Sequence, residues 1–231
     1  TLIGLFGIGQ MPTGEKDPFA LRRHALGVLR MLIEKALPVS LNTLIDAAWE
    51  AEKAVPGVTD HREELRQFFQ DRLRVMLRDA GYTTLEVDAV LALNPEKLDE
   101  LPKRLAAVRA FMALPEAEAL TAANKRIGNI LKKIEGEVST VVNEALLAED
   151  AEKQLFAAIN DVEPKALQHF AAGEYEQMLA TLAVLRGPVD SFFDNVMVNA
   201  EDPALRATRQ ALLKRLYDVM NKVAEIARLA K

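Results

Sequence analysis

The sequence predicts an all-α fold. Apolar residues recur at helical spacing in several segments, and Leu205, Leu212 and Leu216 begin one such stripe late in the chain. Glycine and proline separate these segments. β-branched residues are scattered, and no segment alternates apolar with polar residues or carries a hairpin turn. We therefore expect a multi-helix array in the first half and a helical bundle with short connections in the second.

Residues 1–16 are rich in glycine but match no nucleotide-binding pattern. Glu15 follows Gly14 where a phosphate loop needs lysine, and Pro12 stands where a dinucleotide fingerprint needs its third glycine. We interpret this segment as a tight bend between packed helices.

The first long helix is expected at residues 18–36, with Asp17 and Pro18 as its cap and first turn. Its buried face comprises Leu21, Ala25, Leu29 and either Leu32 or Ile33. Its other surface carries Arg22, Arg23 and Arg30. These arginines are typical of a solvated helix face, and an RNA-facing role beside the glycine-rich bend is the alternative.

Four further helices are predicted before residue 115, at 41–53, 60–80, 84–93 and 94–114. Asp60 and Glu63 fit a capping box, and Gly81 fits a helix stop. The core stripe of the helix at 60–80 comprises Leu65, Phe68, Phe69, Leu73, Met76 and Leu77.

The helix predicted at 115–135 presents polar residues on one face. Lys125, Asn129 and Lys132 are spaced i, i+4 and i+7, while isoleucines and leucines hold the other side. Gly128 inside this helix costs about 1 kcal/mol relative to alanine. Close approach of another helix explains it best, and close approach of an RNA backbone is the alternative.

After residue 135 the sequence predicts a linker or partly ordered loop at 136–148, followed by a series of helices. Short helices are predicted at 149–160, 164–172, 175–186 and 188–197. Asp202 then suits an N-cap and Pro203 a first helical position, opening a long amphipathic helix that runs without glycine or further proline towards Lys231. His169 and Tyr175 are interpreted as structural.

Charge is segregated along the chain. The formal net charge is −5, which argues against nucleic-acid binding through global charge. Segments 121–134 and 203–222 are nevertheless basic, and 135–163 is strongly acidic. Any RNA contact must therefore use local faces.

No catalytic or metal-binding constellation is visible. Cysteine is absent, which excludes disulfides and thiolate metal sites. None of His24, His61 and His169 is followed by aspartate, and no serine has a nucleophile-elbow setting. There is no apolar run long enough for a bilayer and no secretory signal. Because the chain begins at Thr1 without methionine, we expect a piece of a longer polypeptide.

Three segments carry a family resemblance. Residues 202–206 read Asp-Pro-Ala-Leu-Arg, one residue longer than a strict D-A-L-R signature. Residues 4–10 with 17–23, and residues 122–131, match the same family in the same order. The chain resembles the C-terminal part of the β subunit of bacterial glycyl-tRNA synthetase (glycine–tRNA ligase), with a DALR-type anticodon-binding domain like that of arginyl-tRNA synthetase.

The resemblance implies a part of a cytoplasmic enzyme that joins glycine to tRNA(Gly) using ATP and Mg. In that family an α subunit forms the aminoacyl-adenylate and the β subunit grips the tRNA, within an α/β heterotetramer. Residues 1–110 would be the end of an HD-like domain with connecting helices, and 111–231 the DALR-like anticodon-binding helical bundle. The piece itself would be non-catalytic, hold no cofactor or metal, and bind neither membrane nor DNA.

The candidate RNA-binding residues lie in the two basic segments. They are Lys125, Arg126, Asn129, Lys132, Lys133, Arg206, Arg209 and Lys214. Lysine and arginine would hold phosphates, and Asn129 would reach a base edge. Each charge could instead be a solvated residue of little energetic role. The alternative function is a helical scaffold that binds a partner subunit without touching RNA, which the acidic segment favours.

Overall fold

The computed structural model describes residues 1–230 and is built from helices. Its α-helices are α1 (Leu2–Gly7), α2 (Leu21–Glu34), α3 (Leu41–Glu52), α4 (Arg62–Asp79), α5 (Thr84–Leu91), α6 (Leu101–Met112), α7 (Ala117–Leu131), α8 (Asp150–Ala171), α9 (Tyr175–Thr181), α10 (Arg186–Asn195) and α11 (Pro203–Met220). Four 3₁₀ turns lie at Leu98–Glu100, Glu144–Leu146, Leu182–Leu185 and Ile226–Leu229. Within residues 1–230 the only β-type pairings are two isolated bridges. The predicted all-α class is confirmed.

The chain forms two compact units. The first comprises Thr1–Asp88 and Asn94–Pro102, and the second comprises Ala89–Leu93 and the chain from Lys103 onward. The predicted domain boundary at residue 110 stays a prediction.

In the first unit, α2 packs against α4, and α1 packs against α3 and α4. The predicted apolar face of α2 is buried, with Leu32 rather than Ile33 as its last member. Four of the six residues predicted for the stripe of α4 are buried, namely Leu65, Phe69, Leu73 and Leu77. The interpretation of residues 1–16 as a tight bend was wrong for residues 2–7, which form α1. The glycines of α1 do lie against packed neighbours, because a Cβ at Gly4 would overlap the Glu52 carboxylate and one at Gly7 would overlap Val58.

Three predicted helix starts in this unit were wrong. The helix predicted from residue 94 begins only at Leu101, after the 3₁₀ turn at Leu98–Glu100, because Asn94 takes a left-handed conformation with φ 45°. Helix α2 begins at Leu21 because Ala20 takes a left-handed conformation, with φ 52°. Asp17 still caps it from outside, accepting the backbone N–H of Leu21 at 2.8 Å and of Arg22 at 3.0 Å. Burial acts to raise the pKa of Asp17, but these two donors outweigh it and hold the pKa below its usual range.

The capping box predicted at Asp60 and Glu63 does not form. His61 is the N-cap residue of α4 and makes no side-chain cap bond. Asp60 instead accepts the backbone N–H of Arg62 at 3.1 Å and is bound by the Arg62 guanidinium at 2.8 Å. The side-chain bond from Arg62 is the main reason that the pKa of Asp60 lies below its usual range.

The second unit is a bundle in which α8 packs against α9, α10 and α11, and α7 against α10 and α11. The helices predicted at 149–160 and 164–172 are one continuous α8 that contains Pro164. An internal proline costs about 3 kcal/mol. The buried stripe of Leu155, Ile159, Val162 and Ala166 runs through the proline, and its packing offsets that cost.

The last helix is shorter than predicted. Asp202 caps it as expected, accepting the N–H groups of Ala204 at 2.7 Å and Leu205 at 3.1 Å. Helix α11 ends at Met220, because the Asn221 side chain turns the chain by donating to the Tyr217 carbonyl at 2.8 Å and accepting from the N–H of Ile226 at 3.1 Å. The predicted end at Lys231 lies outside the described residues.

Candidate nucleic-acid interface

Helix α7 exposes the polar residues that the spacing places on one face. Of the apolar residues predicted on the other side, Ile127 is buried, whereas Ile130, Leu131 and Ile134 are half-buried. Leu120, Asn124 and Gly128 are also buried. All five predicted RNA-binding residues in and just after this helix are exposed: Lys125, Arg126, Asn129, Lys132 and Lys133. Within residues 1–230, none of the four cations forms an ion pair with a carboxylate. We call these five residues the α7 polar face.

Gly128 allows α7 to lie close to α11. A Cβ at position 128 would come 3.2 Å from Cε2 of Tyr217, tighter than an ordinary van der Waals contact. The helix-contact explanation of this glycine is therefore correct. Burial raises the pKa of the Tyr217 phenol, and the carboxylates of Glu225 and Asp218 raise it further against the opposing effect of Arg228.

Arg126 is stacked on an aromatic ring of the neighbouring helix. Its guanidinium carbon lies 4.1 Å from the ring centroid of Phe193 on α10. Phe193 is half-buried and meets the ring of buried Phe192 edge-on, with the centroids 5.7 Å apart. Sequence reasoning missed Phe193, although the Phe192-Phe193 pair lies just before the signature segment.

The arginines of α11 are engaged with the protein rather than with solvent. Arg209 is 5% exposed, pairs through Nε with Glu152, and donates to the Met197 carbonyl at 2.7 Å. Arg206 is half-buried and donates to the Ala200 carbonyl at 2.9 Å. Both guanidinium groups thus hold the loop that joins α10 to α11. Arg209 is removed from the proposed RNA-facing surface, because its charge is neutralised in the interior.

Lys214 is also occupied, since its Nζ lies 2.6 Å from a carboxylate oxygen of Asp218 one turn later. The eight predicted residues therefore divide. Five form the α7 polar face, while Arg206, Arg209 and Lys214 make contacts within the second unit.

Glu152 is the second residue that sequence reasoning missed. It is 0% exposed, and its Oε2 accepts the backbone N–H groups of Ala148 and Glu149 at 2.8 Å each, while Oε1 accepts from Arg209. The Glu149-x-x-Glu152 spacing is a capping signal. Its partner Arg209 on α11 lies 57 residues later, and no sequence pattern indicates that the two residues form an ion pair.

The basic face of α2 belongs to the first unit. Arg23 and Arg30 are exposed, whereas Arg22 is half-buried and donates to the Gly14 carbonyl at 2.5 Å. Arg22 thus fastens the glycine-rich segment to α2. An RNA-facing role of Arg23 and Arg30 stays a prediction.

Two of the histidines each contact a single carboxylate. His169 Nδ1 lies 2.7 Å from Oε2 of Glu174, and His61, just before α4, lies 3.3 Å from Glu64 on that helix. Over residues 1–230, no group of three or more His, Asp or Glu side chains is arranged to hold a metal ion. In the same part of the chain, no helix is both long and apolar enough to cross a membrane.

Two family models match the chain. The model described as "Glycyl-tRNA synthetase beta subunit" matches residues 1–92, and the model described as "DALR anticodon binding domain" matches residues 120–227. The second match contains all of α11 and α7 from residue 120 onward.

Curated relatives match over the full chain. Proteins named glycine–tRNA ligase beta subunit are 62% identical over 230 residues in Leptothrix cholodnii, 58% over 231 in a Janthinobacterium species and 56% over 231 in Thiobacillus denitrificans. In each case 100% of this chain is covered, but only 32%, 33% and 33% of the relative. The chain therefore spans about a third of the length of these relatives.

Proposed function

Because the chain belongs to the glycyl-tRNA synthetase β-subunit family and carries a DALR anticodon-binding domain, we propose that it is the part of the enzyme that grips tRNA(Gly). The whole cytoplasmic enzyme would attach glycine to that tRNA with ATP and Mg, together with an α subunit in a heterotetramer. The supporting observation is the α7 polar face, which offers four cations that no carboxylate of residues 1–230 neutralises.

This face combines the two elements of RNA recognition. Lysine ammonium groups bind phosphates at any sequence and fix the register of the RNA. The Asn129 amide both donates and accepts hydrogen bonds, which suits the exposed edge of an unpaired base. Unpaired bases are found in loops such as an anticodon loop, so the face fits a tRNA loop better than a duplex.

The rest of the chain restricts where RNA can lie. The net charge of the whole chain is −5, and the segment at 135–163 is acidic, so phosphates are repelled from much of the surface. Because RNA is attracted at α7 and repelled elsewhere, it would bind in one orientation and not over the whole surface. This distribution of charge supports binding of tRNA at a single site.

The adenylation chemistry is assigned elsewhere in the enzyme. In the glycine-rich segment, Gly4 and Gly7 are packed against Glu52 and Val58, so these two glycines do not offer their backbone to a phosphate. We propose that the whole enzyme uses ATP and Mg and that the residues of this chain hold neither.

Charge reversal tests the proposal. Lys125→Glu and Lys132→Glu should each weaken binding of this chain to a tRNA(Gly) transcript. Each should also reduce the magnitude of the log–log salt slope by about 0.7 to 0.9, which corresponds to one lost phosphate contact. Lys103→Glu is the matched control, since Lys103 is exposed in the same unit and lies on α6.

Unchanged tRNA affinity in the folded Lys125 and Lys132 variants would contradict the proposal. It would favour the alternative, a helical scaffold that contacts the α subunit without direct RNA contact. The exposed apolar side chains of Val184 and Met197, 65% and 74% exposed, would then be the first places to look for a protein contact.

A further inference from the structure

We propose that Arg126 and Phe193 form a stacking site for one unpaired nucleobase. The inference rests on the proposed function and goes further, because it assigns base recognition to a particular pair of side chains. The base would lie on the outer side of the Arg126 guanidinium, with the Phe193 ring on the inner side.

The geometry leaves one guanidinium surface free. The guanidinium carbon of Arg126 lies 4.1 Å from the Phe193 centroid, which places one side of the group against the ring. Arg126 is nevertheless exposed as a residue, so its other side faces solvent. Guanidinium planes are known stacking surfaces for splayed-out RNA bases.

The donors of Arg126 are also free, unlike those of three other arginines that lie over rings, Arg104, Arg62 and Arg215. Arg104 lies 4.7 Å from the Tyr175 centroid but donates to the carbonyls of Lys222 and Val223. The guanidinium groups of Arg62 and Arg215, likewise near rings, are bound by carboxylates. Within the described chain, no side-chain or backbone acceptor is hydrogen-bonded to Arg126.

The ring beneath Arg126 is held by the core. Phe193 meets Phe192 edge-on, and Phe192 is 0% exposed. Because the buried ring fixes α10 and its neighbour, the guanidinium rests on a prepared surface rather than on a mobile side chain. A base stacking here would not bear the entropic cost of ordering the platform.

Neighbouring groups define what this platform would accept. Asn129 lies one turn after Arg126 on the same exposed face and can hydrogen-bond a base edge. On the α10 side, Asp194 is exposed, and Asp190 lies 3.7 Å from Arg186. These carboxylates repel phosphate, so the RNA backbone would pass along the lysines of α7 while the base points towards α10.

Two substitutions separate stacking from charge. Arg126→Lys keeps the positive charge but removes the plane, and Phe193→Leu keeps an apolar side chain but removes the ring. Stacking on a protein side chain contributes about 1–3 kcal/mol per base, so each variant should bind a tRNA(Gly) transcript about 5- to 150-fold more weakly. The salt slope should stay unchanged for both, because no phosphate contact is lost.

A spectroscopic readout adds a direct test. An anticodon stem-loop of tRNA(Gly) with 2-aminopurine at successive loop positions should show a fluorescence increase at one position on binding, because the base leaves the stack of neighbouring nucleobases for the Arg126 guanidinium. Arg126→Lys and Phe193→Leu should abolish that increase, while Lys125→Glu should lower affinity but keep the increase at saturation. Circular dichroism would verify that each variant is folded. If Phe193→Leu does not fold, the result for Arg126→Lys is sufficient to test the stacking site.

The outcomes are distinguishable. Normal affinity and a normal fluorescence increase in Arg126→Lys, combined with weakened binding in Lys125→Glu, would overturn the stacking site and leave the proposed function standing. Normal tRNA binding in all variants, Lys125→Glu included, would overturn the proposed function itself.

Discussion

Replacing Glu152 with alanine should destabilise the second unit severely. The Glu152 carboxylate is fully buried and accepts three donors: the backbone N–H groups of Ala148 and Glu149 and the Nε of Arg209. Arg209 is itself only 5% exposed. The substitution therefore leaves a buried guanidinium without its counter-charge and the start of α8 without its acceptor.

The expected magnitude follows from these contacts. Removing one partner of a buried ion pair costs about 3–5 kcal/mol, and losing a helix-start acceptor costs about 1 kcal/mol more. A loss of about 4–6 kcal/mol is large against the 5–15 kcal/mol that typically stabilises a domain. Arg209→Met should cost less, about 2–3 kcal/mol, because Glu152 keeps its two backbone donors.

A double-mutant cycle measured by urea unfolding tests this reasoning. Far-UV circular dichroism would follow the transitions of Glu152→Ala, Arg209→Met and the double variant, with separate transitions for the two units fitted where they occur. We expect the double variant to be more stable than the sum of the single losses predicts, by at least about 1.5 kcal/mol. Additivity within about 0.5 kcal/mol, or a loss below about 1 kcal/mol in Glu152→Ala, would refute the assigned ion pair.

Three smaller perturbations test other contacts of the second unit. Asp202→Ala should lower the free energy of unfolding by about 1 kcal/mol through loss of the α11 cap, and Asp202→Ser should recover most of it in the same urea assay. Gly128→Leu should cost about 1–3 kcal/mol because the added side chain meets the Tyr217 ring, whereas a stable Gly128→Leu variant would show that α7 and α11 are not in close contact. The pKa of Tyr217 is raised in the folded protein, so the folded state binds the phenolic proton more tightly than the unfolded state. Its contribution to stability is complete below about pH 10 and is lost as the pH rises through the folded pKa. In urea titrations between neutral pH and pH 11, Tyr217→Phe should therefore show a smaller alkaline loss of stability, and an equal loss in both proteins would contradict this assignment.

Local patterns in the sequence predicted much of the α7 polar face. The spacing of Lys125, Asn129 and Lys132 places them on one side of any helix, and Ile127 on the opposite side lies in the core. The presence of a glycine, Gly128, inside a helix likewise indicated a close contact with another helix, and Tyr217 of α11 makes that contact. Each of these features depends on residues within a few turns of one helix, so helical periodicity was sufficient to predict them.

Features that depend on distant residues could not be predicted in the same way. A basic residue on a predicted helix gives no sign of burial, so Arg209 resembled a surface charge until its partner Glu152, 57 residues earlier, was known. Pro164 suggested a break because propensity alone favours one, and only the packing of α8 against three other helices shows why the helix continues. The ring beneath Arg126 comes from α10, whose placement beside α7 is a tertiary fact.

The salt dependence of tRNA binding shows whether the α7 polar face holds RNA phosphates. The affinity of this chain for a tRNA(Gly) transcript would be measured over a range of salt concentrations, with an unrelated tRNA as the control. Contacts from the cations of the α7 polar face to about three or four phosphates predict a log–log slope of roughly −2 to −4, together with tighter binding of tRNA(Gly) than of the control. Absence of binding at low salt, or a slope near zero, would contradict the account.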